Sequence, residues 1–176
     1  MNKRQFFSLA GAFLALALPC RAADSIYLDL KIGTVKYEGA SRQRGFEKRI
    51  ECMNLQQSIA SPGSPGPGAV RPSARAEGGV SLTIMKIHDA NSPQLIQAFV
   101  EGLAIEGKFS FVKTNQDKVD EYYTIDGKRG RVSDFAMVAG GGAPNESITI
   151  TFSEVTWTSA PTDGKLGKPI VYSYKK

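Results

Sequence analysis

Residues 148–157 constrain the fold most. Ile148, Ile150 and Phe152 alternate with Thr149, Thr151 and Ser153. Side chains on a strand alternate between faces with period two, so this stretch reads as a half-buried strand. The apolar phase then slips by one residue, to Val155 and Trp157. A one-residue slip moves the hydrophobic set to the other face. It predicts a bulge, or a strand that passes from one covered face to another. Ile26, Leu28, Leu30 and Ile32 alternate with Tyr27, Asp29 and Lys31 in the same way and form a first strand.

Further strands are expected over 46–58, 80–87, 104–113, 119–125, 131–138 and 169–174, with 33–45 read as turn and loop. Asp126-Gly127 is a turn signal, which makes Lys128-Arg129-Gly130-Arg131 a solvated hairpin tip. Gly140-Gly141-Gly142 is a flexible link. Residues 60–79 hold four Pro and five Gly in 20 residues. No regular element survives that density, because Pro lacks a donor and Gly costs entropy. One helix is expected over 92–101. Ser92 can cap its orphan first-turn N–H groups and Pro93 suits its first position. Leu95 with Phe99, and Ile96 with Val100, form one apolar face, and Gly102 is the stop. Many strands and one helix give a mainly β domain that must close or cover its sheet edges.

Three segments, in order, carry a family resemblance. The strand 148–157 with its slip, Trp157, and the ending Gly167-Lys168-Pro169-Ile170-Val171-Tyr172 resemble the C-terminus of the Hcp (haemolysin-coregulated protein) family. These are tube subunits of bacterial type VI secretion systems. Lys86-Ile87-His88-Asp89-Ala90-Asn91-Ser92-Pro93-Gln94-Leu95 is similar to the family's Lys-x-x-Asp-x-x-Ser-Pro-x-Leu segment. Ile26-Tyr27-Leu28 through Lys36-Tyr37-Glu38-Gly39 is similar to its opening strand and turn. The resemblance implies a β-barrel of two sheets with one short helix beside it. It also implies a homohexameric ring, rings that stack into a tube, and small effector proteins held in the lumen. It further implies that the 60–79 loop touches neighbouring subunits when rings stack, with Arg71 and Arg75 as its polar contacts. The residues alone read the same loop as a mobile surface segment.

Two features depart from the family. Ile50-Glu51-Cys52-Met53-Asn54-Leu55 has fewer aromatics than the family's second strand. The N-terminus also reads as a secretory leader, whereas typical Hcp subunits have none. Lys3 and Arg4 make a positive start, residues 6–18 are largely apolar, and Cys20 and Ala22 sit at the −3 and −1 positions. Cleavage is expected between Ala22 and Ala23, leaving a mature domain of 23–176. The apolar run is shorter than the roughly 20 residues a bilayer span needs. Lys3-Arg4-Gln5-Phe6-Phe7 also resembles a twin-arginine signal with its first Arg replaced, as an alternative to the general secretory route. A lipoprotein site at Cys20 is disfavoured by Pro19. The leader places the chain in the periplasm or outside a Gram-negative cell, off the membrane once the leader is removed.

Charge excludes some functions. The chain has 22 Lys and Arg against 17 Asp and Glu, a formal +5. Removing Lys3, Arg4 and Arg21 leaves 19 against 17, so the excess falls to +2. No basic run with interleaved aromatics is present, and nucleic acid is not an expected partner. After cleavage Cys52 is the one cysteine left, read as a small buried hydrophobe, or alternatively as an intermolecular bridge.

No catalytic residues and no cofactor or metal site are expected. His88, the single histidine, is badly placed to work with Asp89, because adjacent strand residues face opposite ways. Asp89 belongs to the turn into the helix. Asp117, Asp120 and Glu121 lack the pattern of a Ca²⁺ loop, and the glycines at 140–142 are not followed by a phosphate-binding Lys-Ser/Thr. Trp157 is expected in the core. The expected function is a non-enzymatic tube-type subunit forming hexameric rings. The alternative is an exported binding module that keeps the fold without the tube.

Overall fold

Antiparallel ladders account for the sheet from end to end. The structure, a computed structural model, describes residues 23–60, 79–115, 118–160 and 169–176. The leader 1–22 and the Pro/Gly-rich segment 61–78, with Arg71 and Arg75, lie outside the described residues. The elements are β1 (Ala23–Ile32), β2 (Val35–Tyr37), β3 (Ile50–Cys52), β4 (Asn54–Ala60), β5 (Gly79–Ile87), α1 (Ser92–Glu101), β6 (Ile105–Asn115), β7 (Lys118–Val138), β8 (Asn145–Ser159) and β9 (Ile170–Lys175).

The sheet runs β1-β6-β7-β8-β5-β4, and β3 returns to β1. β3 and β4 are consecutive, separated by Met53, whose N–H donates to the Met85 carbonyl of β5 at 2.7 Å. One continuous segment, 50–60, therefore bridges β1 and β5 and closes the barrel. Closure removes the long unpaired edges that an open sheet would expose. Leu28 and Leu30 of β1, Val80, Leu82 and Ile84 of β5, Phe109 of β6, Ile125 of β7, and Ile148, Ile150 and Phe152 of β8 fill the interior. They are the alternate residues of their strands, as period-two patterning requires. Outside, residues 38–49 strap the β1–β6 face: Phe46 stacks on Tyr27 at 4.8 Å and Arg49 lies 4.6 Å over Phe46.

The slip after Phe152 marks a change of neighbour. β8 pairs with β5 as far as Phe152 and with β9 from Glu154 onward. Both Phe152 and Val155 face the core. β7 slips at the same level: Ile125 and Gly127 face inward, then Gly130 and Val132. Arg129, between them, has φ 50°. Because both strands carry the extra residue together, the register survives, with Gly127 opposite Val155 and Gly130 opposite Phe152. The paired slip bends the barrel wall without breaking its ladder.

The expected hairpin tip at 128–131 is thus corrected. The strands expected at 119–125 and 131–138 are one strand of 21 residues. The glycines serve packing instead of a turn. A Cβ on Gly127 would lie 2.6 Å from the Phe152 ring, and one on Gly130 would lie 2.5 Å from it. Outside this corner Glu154 accepts from Arg129 and from Lys175, the latter at 3.0 Å. Three smaller corrections follow. Part of the 33–45 loop is strand β2, held by β1. The 46–58 strand starts only at Ile50, because 38–49 are drawn onto the outer face. Trp157 is half-buried, stacked on Tyr172 at 5.7 Å, with its N–H donating to Gln57.

Cys52 is buried, as expected of a small hydrophobe. Burial pushes its thiol up to about 12. A buried, protonated thiol is a poor nucleophile. Iodoacetamide at pH 8 is therefore expected to leave Cys52 intact in folded 23–176 and to alkylate it in urea. Mass spectrometry reads the result; alkylation of the native protein at the denatured rate would contradict the burial.

Candidate functional site

The core faces of β5 and β8 each carry one charged residue. Lys86 is in phase with Val80, Leu82 and Ile84; Glu146 is in phase with Ile148, Ile150 and Phe152. Period two therefore sends both charges inward. The two strands pair with Lys86 opposite Glu146. Lys86 is 1% exposed and Glu146 is 0% exposed. An ion this deep is tolerated only when paired and hydrogen-bonded.

The chain supplies every partner. The Lys86 ammonium lies 2.8 Å from Glu146 Oε2, 2.9 Å from Ser92 Oγ and 3.1 Å from Asp89 Oδ2, so its three donors meet three acceptors. Ser92 Oγ also accepts from the Asp89 N–H at 3.0 Å and donates to Glu146 Oε2 at 2.9 Å. Glu146 Oε1 accepts from His88 Nδ1 at 2.7 Å. Asp89 Oδ1 accepts from the Tyr37 hydroxyl at 2.7 Å and from the Asn91 N–H at 3.0 Å. Among the described residues no buried side-chain nitrogen or oxygen lacks a partner.

The turn and helix grow from this cluster. Asp89 closes the turn, as expected, while Ser92 does not cap the helix. Asn91 is the N-cap residue and makes no side-chain cap bond. The Ser92 hydroxyl is committed to the buried ions instead, a stronger, charge-assisted use of it. Gly102 ends the helix in the left-handed conformation, φ 63°. The expected apolar face is corrected as well. Leu95 and Ala98 are the apolar residues that reach the core, while Ile96, Phe99 and Val100 are exposed. The ion cluster fixes the helix rotation at Ser92, and Leu95 and Ala98 follow it at i+3 and i+6.

The electrostatics favour the ionised forms of Glu146 and Asp89. Burial raises the Glu146 carboxyl, but hydrogen bonds from Lys86, His88 and Ser92 outweigh it and hold the group below its ordinary 4.5. Asp89 behaves likewise: burial opposes, and Tyr37 and Lys86 prevail. Burial, reinforced by Asp89, pushes the Tyr37 phenol upward. Carboxyls depressed in the folded state add stability above their unfolded values, and the gain is lost as pH falls through the folded values. The urea midpoint of 23–176 is expected to hold from pH 7 to about 5 and then fall below about 4.5. Glu146→Gln flattens that fall; an acid limb unchanged by the substitution would remove Glu146 from its cause.

Chemically the cluster is a joint. It ties β2, β5, α1 and β8 through the hydrogen bonds and ion pairs of Tyr37, Lys86, Asp89, Ser92 and Glu146. His88 pairs with Glu146, not Asp89, and Asp89 faces Lys86 and Tyr37. Among the described residues no set of His, Cys, Asp or Glu is grouped to hold a metal, and no helix is long and apolar enough to cross a membrane. Of the residues singled out in the sequence, Ala23 opens β1 and Cys52 ends β3. Glu146 and Tyr37 carry no motif signal of their own. Parity with Ile148 and Ile150 is the signal that marks Glu146.

The exposed apolar side chains lie elsewhere. β9 pairs with β8 on one edge and, among the described residues, with no strand on the other. Its Ile170, Val171 and Tyr172 are exposed, as are Met137 and Val138 at the end of β7 and Ile96, Phe99 and Val100 on α1.

The family described as "Type VI secretion system effector, Hcp" matches residues 27–158. Among solved structures, the chain is similar to Hcp1 from Salmonella typhimurium, with 18% identity and TM-score 0.68 over 87% of this chain and 95% of that one. Hcp1 from E. coli EAEC 042 gives 21% identity and TM-score 0.68 over 87% and 99%. The secreted protein Hcp3 from Pseudomonas aeruginosa gives 16% identity and TM-score 0.64 over 88% and 100%. At these identities the likeness is one of fold. No curated protein matches the chain.

Proposed function

Because the chain belongs to the Hcp family of type VI secretion proteins, structural tube subunits and not enzymes, we propose that it is an exported subunit forming six-membered rings. The observation that carries this reading is the family match across most of the closed barrel, 27–158. Physically, each barrel offers its neighbour the edge of β9 that pairs with no strand among the described residues, and exposed apolar side chains on β7, β9 and α1. Joining subunits at an edge covers the backbone groups that a lone strand leaves open. Rings stack through the 60–79 segment, with Arg71 and Arg75 as polar contacts, and small effector proteins sit in the lumen without covalent attachment. The leader directs the chain out of the cytoplasm and is removed between Ala22 and Ala23, leaving one domain, 23–176.

A second reading rests on that same leader. A subunit exported before assembly is separated from a sheath built in the cytoplasm, so the fold would serve as a periplasmic or extracellular binding module. Sedimentation and negative-stain microscopy of 23–176 separate the two. Hexameric rings support the tube reading; a monomer at high concentration supports the module. Deleting 62–76 is expected to leave the rings intact and weaken their stacking. Stacking equal to that of the full domain would rule out the loop as its contact.

A further inference from the structure

We propose that the exposed face shared by β4 and the β8–β9 pair binds a neutral glycan, stacking a pyranose on Tyr172 and bonding its hydroxyls through Gln57. Trp157 is in phase with buried Val155, so period two puts it on the core side of β8. Tyr172 of β9 lies opposite Trp157, and the two rings stack at 5.7 Å with 29° between their planes. Trp157 packs against the core and donates its indole N–H to Gln57 Oε1 of β4 at 3.1 Å. Tyr172, braced by that ring, is 66% exposed. Gln57 is exposed too, and its amide nitrogen donates to none of the described residues.

The chemistry around the rings selects the ligand. Residues 54–60, 155–160 and 170–174 include no Asp, Glu, Lys, Arg or His. Glu154 and Lys175, which flank these stretches, pair with each other at 3.0 Å. A charged ligand would lose hydration here without gaining a counter-ion. A wholly apolar ligand would cover the Gln57 amide and leave its donors unmet. A neutral sugar meets both demands. Its C–H face is slightly positive and suits the negative face of an aromatic ring. Its hydroxyls accept from the amide of Gln57. The Trp157–Gln57 bond sets which end of that amide is free: the oxygen takes the indole, so the NH₂ group is left for the ligand. A braced ring and a placed donor also lower the ordering cost of binding. This site goes beyond the ring reading, because it uses one face of β9 and leaves that strand's backbone edge to the neighbouring subunit.

Trp157 is the single tryptophan of the chain, so its fluorescence reads this face alone. The full chain is titrated with cellohexaose and with chitohexaose to their solubility limits, with glycerol as the control polyol. A saturable change in emission is expected with at least one hexasaccharide and not with glycerol. Tyr172→Phe keeps the ring and the response. Tyr172→Ala is expected to weaken binding at least about tenfold, and Gln57→Leu about fivefold. Both residues are exposed, and an unchanged urea midpoint verifies that each variant folds. No response to either sugar overturns the proposal, as does equal binding by Tyr172→Ala and the unsubstituted protein. Emission that shifts on dilution alone, with no sugar response, assigns the face to a second copy of the chain and overturns it too. Sedimentation tests the ring reading separately, so failure of the rings leaves the sugar result standing.

Discussion

Lys86→Met is expected to destabilise the domain by about 3–5 kcal/mol, because it strands the Glu146 charge where no water reaches it. Glu146 is 0% exposed, and its Oε2 would keep only the Ser92 hydroxyl. Met nearly matches the lysine stem in volume, so the loss is electrostatic and not a packing defect. Replacing both ions, Lys86→Met with Glu146→Leu, removes the burial cost on both sides. Swaps of a buried pair for apolar residues are often near neutral. The double variant is therefore expected to be more stable than Lys86→Met alone by at least about 2 kcal/mol, a favourable interaction well above the error of a mutant cycle. Asp89 keeps Tyr37 and the Asn91 N–H in either variant. Urea unfolding of the four proteins at pH 7 reads the result. Additive losses would mean that Lys86 and Glu146 act independently.

Phe152→Ala carries the second large effect, about 3–5 kcal/mol, as expected for an aromatic side chain removed from a packed core. The ring is fully buried, meets Phe109 edge to face at 6.3 Å, and roofs Gly127 and Gly130. Gly130→Ala alone is expected to cost about 1–3 kcal/mol by overpacking, since its Cβ would press on the ring and lie 3.1 Å from the Ile105 carbonyl. The two changes are not independent. In Phe152→Ala the new methyl on residue 130 occupies space the ring has left. The double variant is expected to be more stable than the sum of the singles by at least about 1 kcal/mol. If the costs simply add, the Ile105 carbonyl and not the ring is what excludes a side chain at 130.

The joint and the corner explain why the family segment Lys86 to Leu95 reads as it does. Lys86, Asp89 and Ser92 are three corners of one buried network, and Pro93 and Leu95 begin the helix that the network orients. The charged residues on core faces are a consequence of hanging a helix on a barrel: something must fix both its end and its rotation. A fully satisfied ion cluster does this with directional bonds that apolar contacts lack.

Local pattern determined much of this protein. Period-two alternation identified β1, β5 and β8, the Ser-Pro start and Gly102 stop bounded α1, and the residues of three segments pointed to the Hcp family. These properties depend on a residue and its near neighbours, so a linear reading reaches them. Tertiary structure alone decided the rest. The phase slip at 153 was visible in the sequence. That it marks β8's exchange of β5 for β9, matched by a slip in β7, depends on strands far apart in the chain. Asp126-Gly127 looked like a turn because glycine permits one, and only the Phe152 ring above it shows the other use of a missing side chain. Ile96, Phe99 and Val100 have helical spacing but face outward, since the ions at Ser92 set the rotation. Glu146 joins Lys86 across 60 positions of sequence, and no spacing rule reaches that far. Only the register of β5 against β8 makes the two charges neighbours.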